Sequence, residues 1–345
     1  MSNDWCIKLV VTLALCCLRP TGILALFDPL SMGLAAGAAL GLYKYETLKD
    51  QTYCRFRECC NDRYIPADIS QLEKDLNNNL FGQHIVIQQL IPALKAHFSE
   101  ARNSKKPLVI SFHGTPGTGK NFVSEKIAKR IYAEGIRSNY VHRYIGRSAF
   151  PYESEAKHYS ERLLKEVRSA ISACPRSLFI FDEVDKMPPL VFDSLTSLIN
   201  FNTVIDGVDG TKAIFIFLSN TAGVHISDRL GQLIKGGTLR EDTKLSHFEQ
   251  TLEKGAYNLD GGLKKTSLIE SHLIDHFIPF LPLEKSHVYK CAQAEFNAWG
   301  KNPKEEVIER VINDFITYDR THSIFATSGC KKLVNKVAVE ANAHL

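Results

Sequence analysis

Leu108-Val-Ile-Ser-Phe-His-Gly-Thr-Pro-Gly-Thr-Gly-Lys-Asn121 decides how the rest of this 345-residue chain is read. An apolar run, Leu108–Phe112, leads into Gly114, Thr115, Pro116, Gly117, Thr118, Gly119, Lys120 and Asn121, and a predicted helix, Phe122–Tyr132, follows. Strand, glycine-rich loop, helix is the layout of a phosphate-binding loop. The glycines let backbone N–H groups approach phosphate oxygens, and the helix N-terminus adds a favourable dipole. Lys120 is placed to reach the β- and γ-phosphates as a point charge. A glycine-rich turn without function would not need the strand before it and the helix after it. The ligand implied is a nucleoside triphosphate, ATP. Asn121 stands where a serine or threonine hydroxyl usually ligates Mg²⁺. Its amide oxygen can coordinate or act through water, so Asn121 is a candidate metal ligand, but the substitution weakens the expectation of efficient hydrolysis.

Leu178-Phe-Ile-Phe-Asp182-Glu183 is the second element. Buried strand residues deliver Asp182 to the C-terminal edge of a sheet, where it can hold Mg²⁺. Glu183 beside it is suited to polarise an attacking water, which makes it the candidate catalytic residue. Alone the pattern is an ordinary strand end; behind the phosphate loop, in the right order, it is specific. Phe217-Leu218-Ser219-Asn220 ends the next apolar strand, and Asn220 is preferred over Ser219 as a group near the γ-phosphate. A turn-forming Asn is the bland alternative.

The remaining pattern gives the fold class. Apolar runs at Leu108–Phe112, Tyr140–Ile145, Ser177–Phe181, Ala213–Leu218 and Ile274–Leu281 alternate with helical segments. Two of them lack polar alternation, as strands buried on both faces do. The expectation is an α/β fold: a large P-loop domain whose parallel sheet is covered by helices. Ile69–Leu94 reads as helical with a break at Phe81-Gly82. From Glu284 the β-type runs cease, and Lys304–Ile316 and Lys331–Ala341 read as amphipathic helices of a small C-terminal domain. The expected division is 1–26, 27–44, 45–283 and 284–345.

Hydrophobic residues make up 44% and charged residues 23%, ordinary globular composition that argues against long disorder. The net charge of +4 is too small for a nucleic-acid surface. Lys105-Lys106 and Lys264-Lys265 read as solvated faces. Residues 1–26 read as a secretory signal built on the apolar run Leu9–Leu18, with an uncleaved anchor as the alternative. Leu30–Tyr43 would make a helix of about 21 Å, short of the roughly 30 Å hydrocarbon core, so it is expected to associate with a membrane surface rather than cross. Of nine cysteines, six lie beyond the signal. In an oxidising compartment they would tend to pair, but counting assigns no bridge. Cys54, Cys59 and Cys60 lack the spacing of a zinc site.

Strand, phosphate loop, Asp-Glu strand, Asn-tipped strand and helical lid together look like an AAA+ ATPase. Leu80-Phe81-Gly82-Gln83 is similar to the adenine-side segment of Clp-type members. More narrowly, the chain resembles the torsin family over roughly residues 28–340. The resemblance is carried by the loop ending in Asn121, Phe179-Ile-Phe-Asp-Glu-Val-Asp-Lys-Met187 and Phe215-Ile-Phe-Leu-Ser-Asn220. Arg240-Glu-Asp242, Phe277-Ile-Pro-Phe-Leu-Pro-Leu283 and Gly329-Cys-Lys331 complete it.

That resemblance implies residence in the lumen of the endoplasmic reticulum and the nuclear envelope, with residues 30–43 as the membrane-associating stretch. It implies that Lys331 approaches the γ-phosphate and that Cys291 and Cys330 form a redox pair, with independently paired or simply buried cysteines as the alternative. It implies an activating membrane partner of the lamina-associated type, whose luminal domain supplies an arginine, together with protein clients and homo- or hetero-oligomers. Arg229 and Arg240 lie where an arginine finger is usually found, and neither can be placed at a neighbour's site from sequence. Phe150-Pro-Tyr152 is only a faint substitute for a pore loop, so polypeptide threading is not expected. The chain carries no Asn-x-Ser/Thr sequon, and Asn342-Ala-His-Leu345 is no standard retrieval signal, so retention would rest on the hydrophobic stretch or a partner. The expected function is a weak, partner-switched, chaperone-like ATPase. The rival is a nucleotide-gated scaffold with negligible turnover.

Overall fold

The computed structural model describes residues 54–99, 105–200, 204–205, 207–258 and 261–343. The expected signal at 1–26 and the membrane-associating stretch at 30–43 lie outside the described residues. Residues 1–59 and 60–345 are two separate compact units. The described part of the first is a helical turn at 54–56 closed by the Cys54–Cys59 disulfide.

The second unit opens with helices α1 (Ile69–Asn79) and α2 (His84–His97), separated by a break at the predicted Phe81-Gly82. Then come β1 (Leu108–His113), α3 (Lys120–Ile131), β2 (Val141–Ile145), α4 (Ala156–Ala173), β3 (Leu178–Asp182) and β4 (Ile214–Ser219). Helices α5 (Gly223–Lys235) and α6 (Glu249–Asn258) precede the last strand, β5 (His276–Pro279). The five strands form one parallel sheet in the order β2-β3-β4-β1-β5. A short antiparallel ribbon, Val204–Ile205 with Val208–Asp209, stands apart from it.

The strands that showed no polar alternation do alternate, between two apolar residue types. In register, Phe179 pairs with Phe215 and Ile180 with Ile216. The phenylalanines face one core, built on Leu163, Val167, Phe192 and Leu195; the isoleucines face the other, built on Leu72, Leu90, Ile127 and Ile131. On the first face Phe179 stacks on Phe215 at 4.9 Å, and Phe181 on Phe217 at 5.1 Å. Each such pair contributes about 0.5–1.5 kcal/mol beyond its burial. They lock the register that brings the ends of β3 and β4 level. The disulfide Cys60–Cys174 ties the chain before α1 to the end of α4.

Lys106 corrects the reading of Lys105-Lys106 as a solvated pair. Its side chain is buried and its Nζ donates to Asp275 Oδ2 at 2.7 Å and to the Leu273 carbonyl at 2.8 Å. The partner lies 169 residues away, so no local pattern announces it.

After β5 the described chain is helical: α7 (Lys285–Ala298), α8 (Glu305–Phe315) and α9 (Leu333–Ala343). They share a small core of Val288, Ala292, Phe296, Ile308, Val311, Ile312 and Val337. Two isolated antiparallel bridges, Glu284 with Phe325 and Tyr318 with Ala326, are the only β pairings described in this region. The α/β class, the parallel sheet and the helical C-terminal region all match expectation. Among the described residues, no helix is long and apolar enough to cross a membrane.

Candidate functional site

A parallel sheet gathers its strand ends on one edge, and here that edge holds the turn after β1, Asp182 at the end of β3 and Asn220 just past β4. The β1–α3 turn runs from Gly114 to Gly119, so Lys120 is the first residue of α3. Its Nζ donates to the Gly114 carbonyl at 2.6 Å, the Thr115 carbonyl at 3.0 Å and Asn220 Oδ1 at 3.0 Å. Burial presses its pKa from 10.5 down to about 8, against the pull of Asp185 and Asp182; Lys331 lowers it further. A weakly hydrated ammonium held by neutral oxygens is poised to exchange them for phosphate oxygens.

Asp182 is also mostly buried. Its Oδ2 accepts from Asn121 Nδ2 at 2.7 Å and from Arg143 Nη2 at 2.8 Å, and its Oδ1 accepts from the Glu183 backbone N–H at 2.9 Å. Asn121 thus turns its amide nitrogen, not its oxygen, to the carboxylate. Glu183 sits in the left-handed region at φ 56°, which turns the chain sharply at the strand end. Its Oε2 lies 3.7 Å from Arg147 Nε, and the side chain borders the cleft.

Asn220 is not a free turn residue. Asp185 Oδ1 accepts from both its backbone N–H at 3.1 Å and its Nδ2 at 3.2 Å. With the NH₂ held there, the carbonyl oxygen of the side chain is the end turned to Lys120. Asp185 lies within the Phe179–Met187 motif, where the sequence gives it no role of its own, and Arg143 carries no local signal that points to Asp182. Behind these groups His113 is fully buried and kept neutral, its pKa pressed from 6.5 to about 4 by burial. Its ring nitrogens meet Ser111 Oγ at 2.7 Å and Thr221 Oγ1 at 3.5 Å.

The helical region completes the site from the other side. The backbone N–H of Cys330 donates to the Gly117 carbonyl at 3.1 Å, and Cys330 is bridged to Cys291 of α7. Lys331 is exposed and borders the same cleft of about 900 Å³. Its lining combines apolar side chains, Leu80, Phe81, Leu283, Ala294, Ala298 and Val334, with the cations Lys120 and Lys331 and the loop residues Pro116, Gly117, Thr118 and Gly119. A cleft lined both by apolar side chains and by a cationic phosphate loop offers the two kinds of surface that a nucleotide's base and phosphates need.

Gln83 fastens the phosphate loop to the chain just past β5. It is buried, donates to the carbonyls of Thr118 and Leu281, and accepts the Leu281 N–H. Arg240 does not project outward: it is buried, donating to the Gly82 carbonyl at 2.9 Å and to Glu284 Oε1 at 2.8 Å. Arg229 donates to the His247 carbonyl at 3.1 Å. Phe150, considered as part of a pore loop, is a core residue, whereas Tyr152 is exposed.

The chain matches known proteins along most of its length. The family model described as Torsin covers residues 54–181, and the model for the Torsin-1A C-terminal domain covers 283–339. A torsin-like protein of Drosophila melanogaster is 59% identical over 316 residues, spanning 90% of this chain and 92% of its own. A torsin-like protein of Caenorhabditis elegans is 36% identical over 313 residues, spanning 90% of this chain and 86% of its own. Among solved structures, the Saccharomyces cerevisiae Hsp104–ADP complex superposes with a TM-score of 0.56 at 16% identity. That match takes in 81% of this chain and 49% of that one, so this chain spans about half the length of its Hsp104 neighbour. At that identity the likeness speaks for the AAA+ fold alone.

Proposed function

The chain belongs to the torsin family of AAA+ proteins, and from that premise we propose that it is a weak ATPase, switched on by a membrane partner, that remodels or helps fold luminal or membrane proteins. The observation that carries this reading is one cleft bordered by Lys120, Asn121, Asp182, Glu183, Asn220 and Lys331. In the proposed roles, Gly114, Thr115, Pro116, Gly117, Thr118 and Gly119 wrap the phosphates. Lys120 neutralises their β- and γ-oxygens, and Lys331 approaches from the lid. Asn220, whose side-chain oxygen faces inward, accepts a hydrogen bond from the attacking water, and Glu183 polarises that water.

Mg²⁺ fits the residues present. Asp182 brings a hard carboxylate to the β3 edge, and Mg²⁺ commonly takes only one or two protein ligands beside water and phosphate. Asn121, whose amide nitrogen now faces that carboxylate, would add its oxygen by turning the amide over or acting through water. When bound it would neutralise charge developing on the phosphate oxygens. Asn121 and Arg143 already engage the Asp182 carboxylate, which fits slow intrinsic turnover. That same engagement favours the second reading, a nucleotide-gated scaffold with negligible hydrolysis.

Activation by an arginine supplied in trans is supported by where this chain's own arginines lie. Arg240 is buried in the joint before α7, Arg229 is bonded to His247, and Arg143 and Arg147 face Asp182 and Glu183. Residence in the lumen of the endoplasmic reticulum and the nuclear envelope is supported by the three disulfides, Cys54–Cys59, Cys60–Cys174 and Cys291–Cys330. Residues 30–43 would supply the membrane association. Steady-state hydrolysis, alone and with the luminal domain of a candidate activator, tests the reading, with Glu183→Gln as the blank. Turnover that is slight alone and rises steeply with activator supports a partner-switched ATPase. Nucleotide binding and complex formation without turnover above the blank would leave the scaffold.

A further inference from the structure

We infer that Arg143 sets how far nucleotide binding depends on Mg²⁺, because its guanidinium occupies the carboxylate that would face the metal. The inference rests on the nucleotide-site reading above and deepens it. In the sheet register Ile145 pairs with Asp182 and Arg143 with Ile180. With side chains alternating along a strand, Arg143 therefore shares a face with Asp182, the face covered by α3. There it lies between Asp182 and Glu125 of α3, with Nη2 at 2.8 Å from Asp182 Oδ2 and Nη1 at 3.7 Å from Glu125 Oε1. The Asp182 side chain is 11% exposed, so the pair is poorly screened.

Asn121 adds a second donor to the same oxygen at 2.7 Å. A hydroxyl at that position would offer a metal an oxygen; here the side chain presents N–H to the carboxylate. Asp182 Oδ2 is thus satisfied by one cation and one amide, in the way a divalent ion and its water would satisfy it. With its charge offset from within, Asp182 repels incoming phosphates less when no metal is present, and attracts a metal less when one is. Both effects flatten the dependence of nucleotide binding on Mg²⁺. Removing the guanidinium restores the charge of Asp182 and with it the need for the ion.

The test is binding of a fluorescent ATP analogue to the full chain, in EDTA and across a Mg²⁺ titration. The wild type is expected to change affinity by less than about threefold between the two limits. Arg143→Met is expected to widen that ratio to about tenfold or more, by weakening binding in EDTA and lowering the Mg²⁺ midpoint, the scale of one partly screened charge at contact distance. Arg143→Lys, which keeps the charge, should stay near wild type, and this rescue separates electrostatic offset from packing. Asn121→Thr, which supplies a hydroxyl, should also steepen the dependence should Arg143→Met fail to fold. A wild type whose binding needs Mg²⁺ as strongly as Arg143→Met overturns the inference and leaves the nucleotide site standing. A wild type that binds the analogue at neither limit overturns both.

Discussion

The Gly117 carbonyl of the phosphate loop accepts the backbone N–H of Cys330 at 3.1 Å, so the lid reads the loop through main chain rather than through a side chain. The contact is close on both sides. A Cβ built on Gly117 would stand 1.8 Å from the Ser328 carbonyl oxygen, and one on Gly329 would stand 2.3 Å from the Gly117 oxygen. Both residues have positive φ, 81° and 51°, the left-handed region that favours glycine. Because Cys330 is also bridged to Cys291, a displacement of α7 reaches the phosphate loop through one residue.

Gly329→Ala should therefore separate the lid from the loop. The expected result is a loss of nucleotide affinity of about tenfold, equivalent to some 1.4 kcal/mol, with the circular dichroism of the fold retained. Unchanged affinity in a folded variant would mean that the contact is incidental to binding.

Asp185→Ala should release the Asn220 amide. ADP affinity is expected to change little, because Asn220 is assigned to the γ-phosphate end. Preference for ATPγS over ADP should fall by about tenfold, the scale of one hydrogen bond to a charged group. Competition binding with the two nucleotides checks this, and an equal loss for both would reassign Asp185 to general support of the fold.

Lys120 gives the site a pH dependence with a definite sign. Its ammonium is held at about 8 before phosphate arrives, and bound phosphate favours the charged form. Binding therefore takes up a proton once the pH exceeds that value, and affinity falls as pH rises. Between pH 7 and pH 9 the expected loss is about tenfold. Lys120→Arg, charged throughout, should bind with a flat profile over that range even if more weakly. Calorimetry in buffers of different ionisation enthalpy would detect the proton directly.

What the sequence shows of this site depends on distance along the chain. The phosphate loop, the Asp182-Glu183 strand end and Asn220 are short patterns in a fixed order, and the structure brings all of them to one cleft. The strands were legible because Phe179–Phe181 and Ile214–Leu218 are short runs rich in β-branched and aromatic residues without polar alternation, set between helical segments, as strands buried on both faces are. What was not legible is set by register between strands. Arg143 meets Asp182 only because β2 pairs with β3. Lys106 looked solvated because Asp275, its partner, enters from the far end of the domain. Helix α7 was passed over because its buried positions, Val288, Ala292 and Phe296, form a single narrow stripe in a polar segment. The Cys291–Cys330 bridge could not come from counting cysteines; family resemblance supplied it, and the structure contains it.

Arg240 illustrates a residue whose sequence position invites one role and whose surroundings give another. It ties the Gly82 carbonyl to Glu284, the residue that begins the lid, and is buried while doing so. Arg240→Ala should destabilise the fold by about 1–3 kcal/mol, by removing a buried guanidinium and its hydrogen bonds to the half-buried Glu284 carboxylate and the Gly82 carbonyl, measured by chemical denaturation. Loss of activity in mixed assemblies, with stability unchanged, would instead return Arg240 to the role of a finger acting on a neighbour.

Phosphate release from ATP under activator saturation, comparing wild type with Glu183→Gln at matched nucleotide occupancy, tests the central claim most directly. The account predicts sustained turnover in the wild type and a variant that binds ATP as tightly but holds it, slower by at least about 10²-fold. Equal rates in the two proteins, whether both slow or both fast, would contradict it.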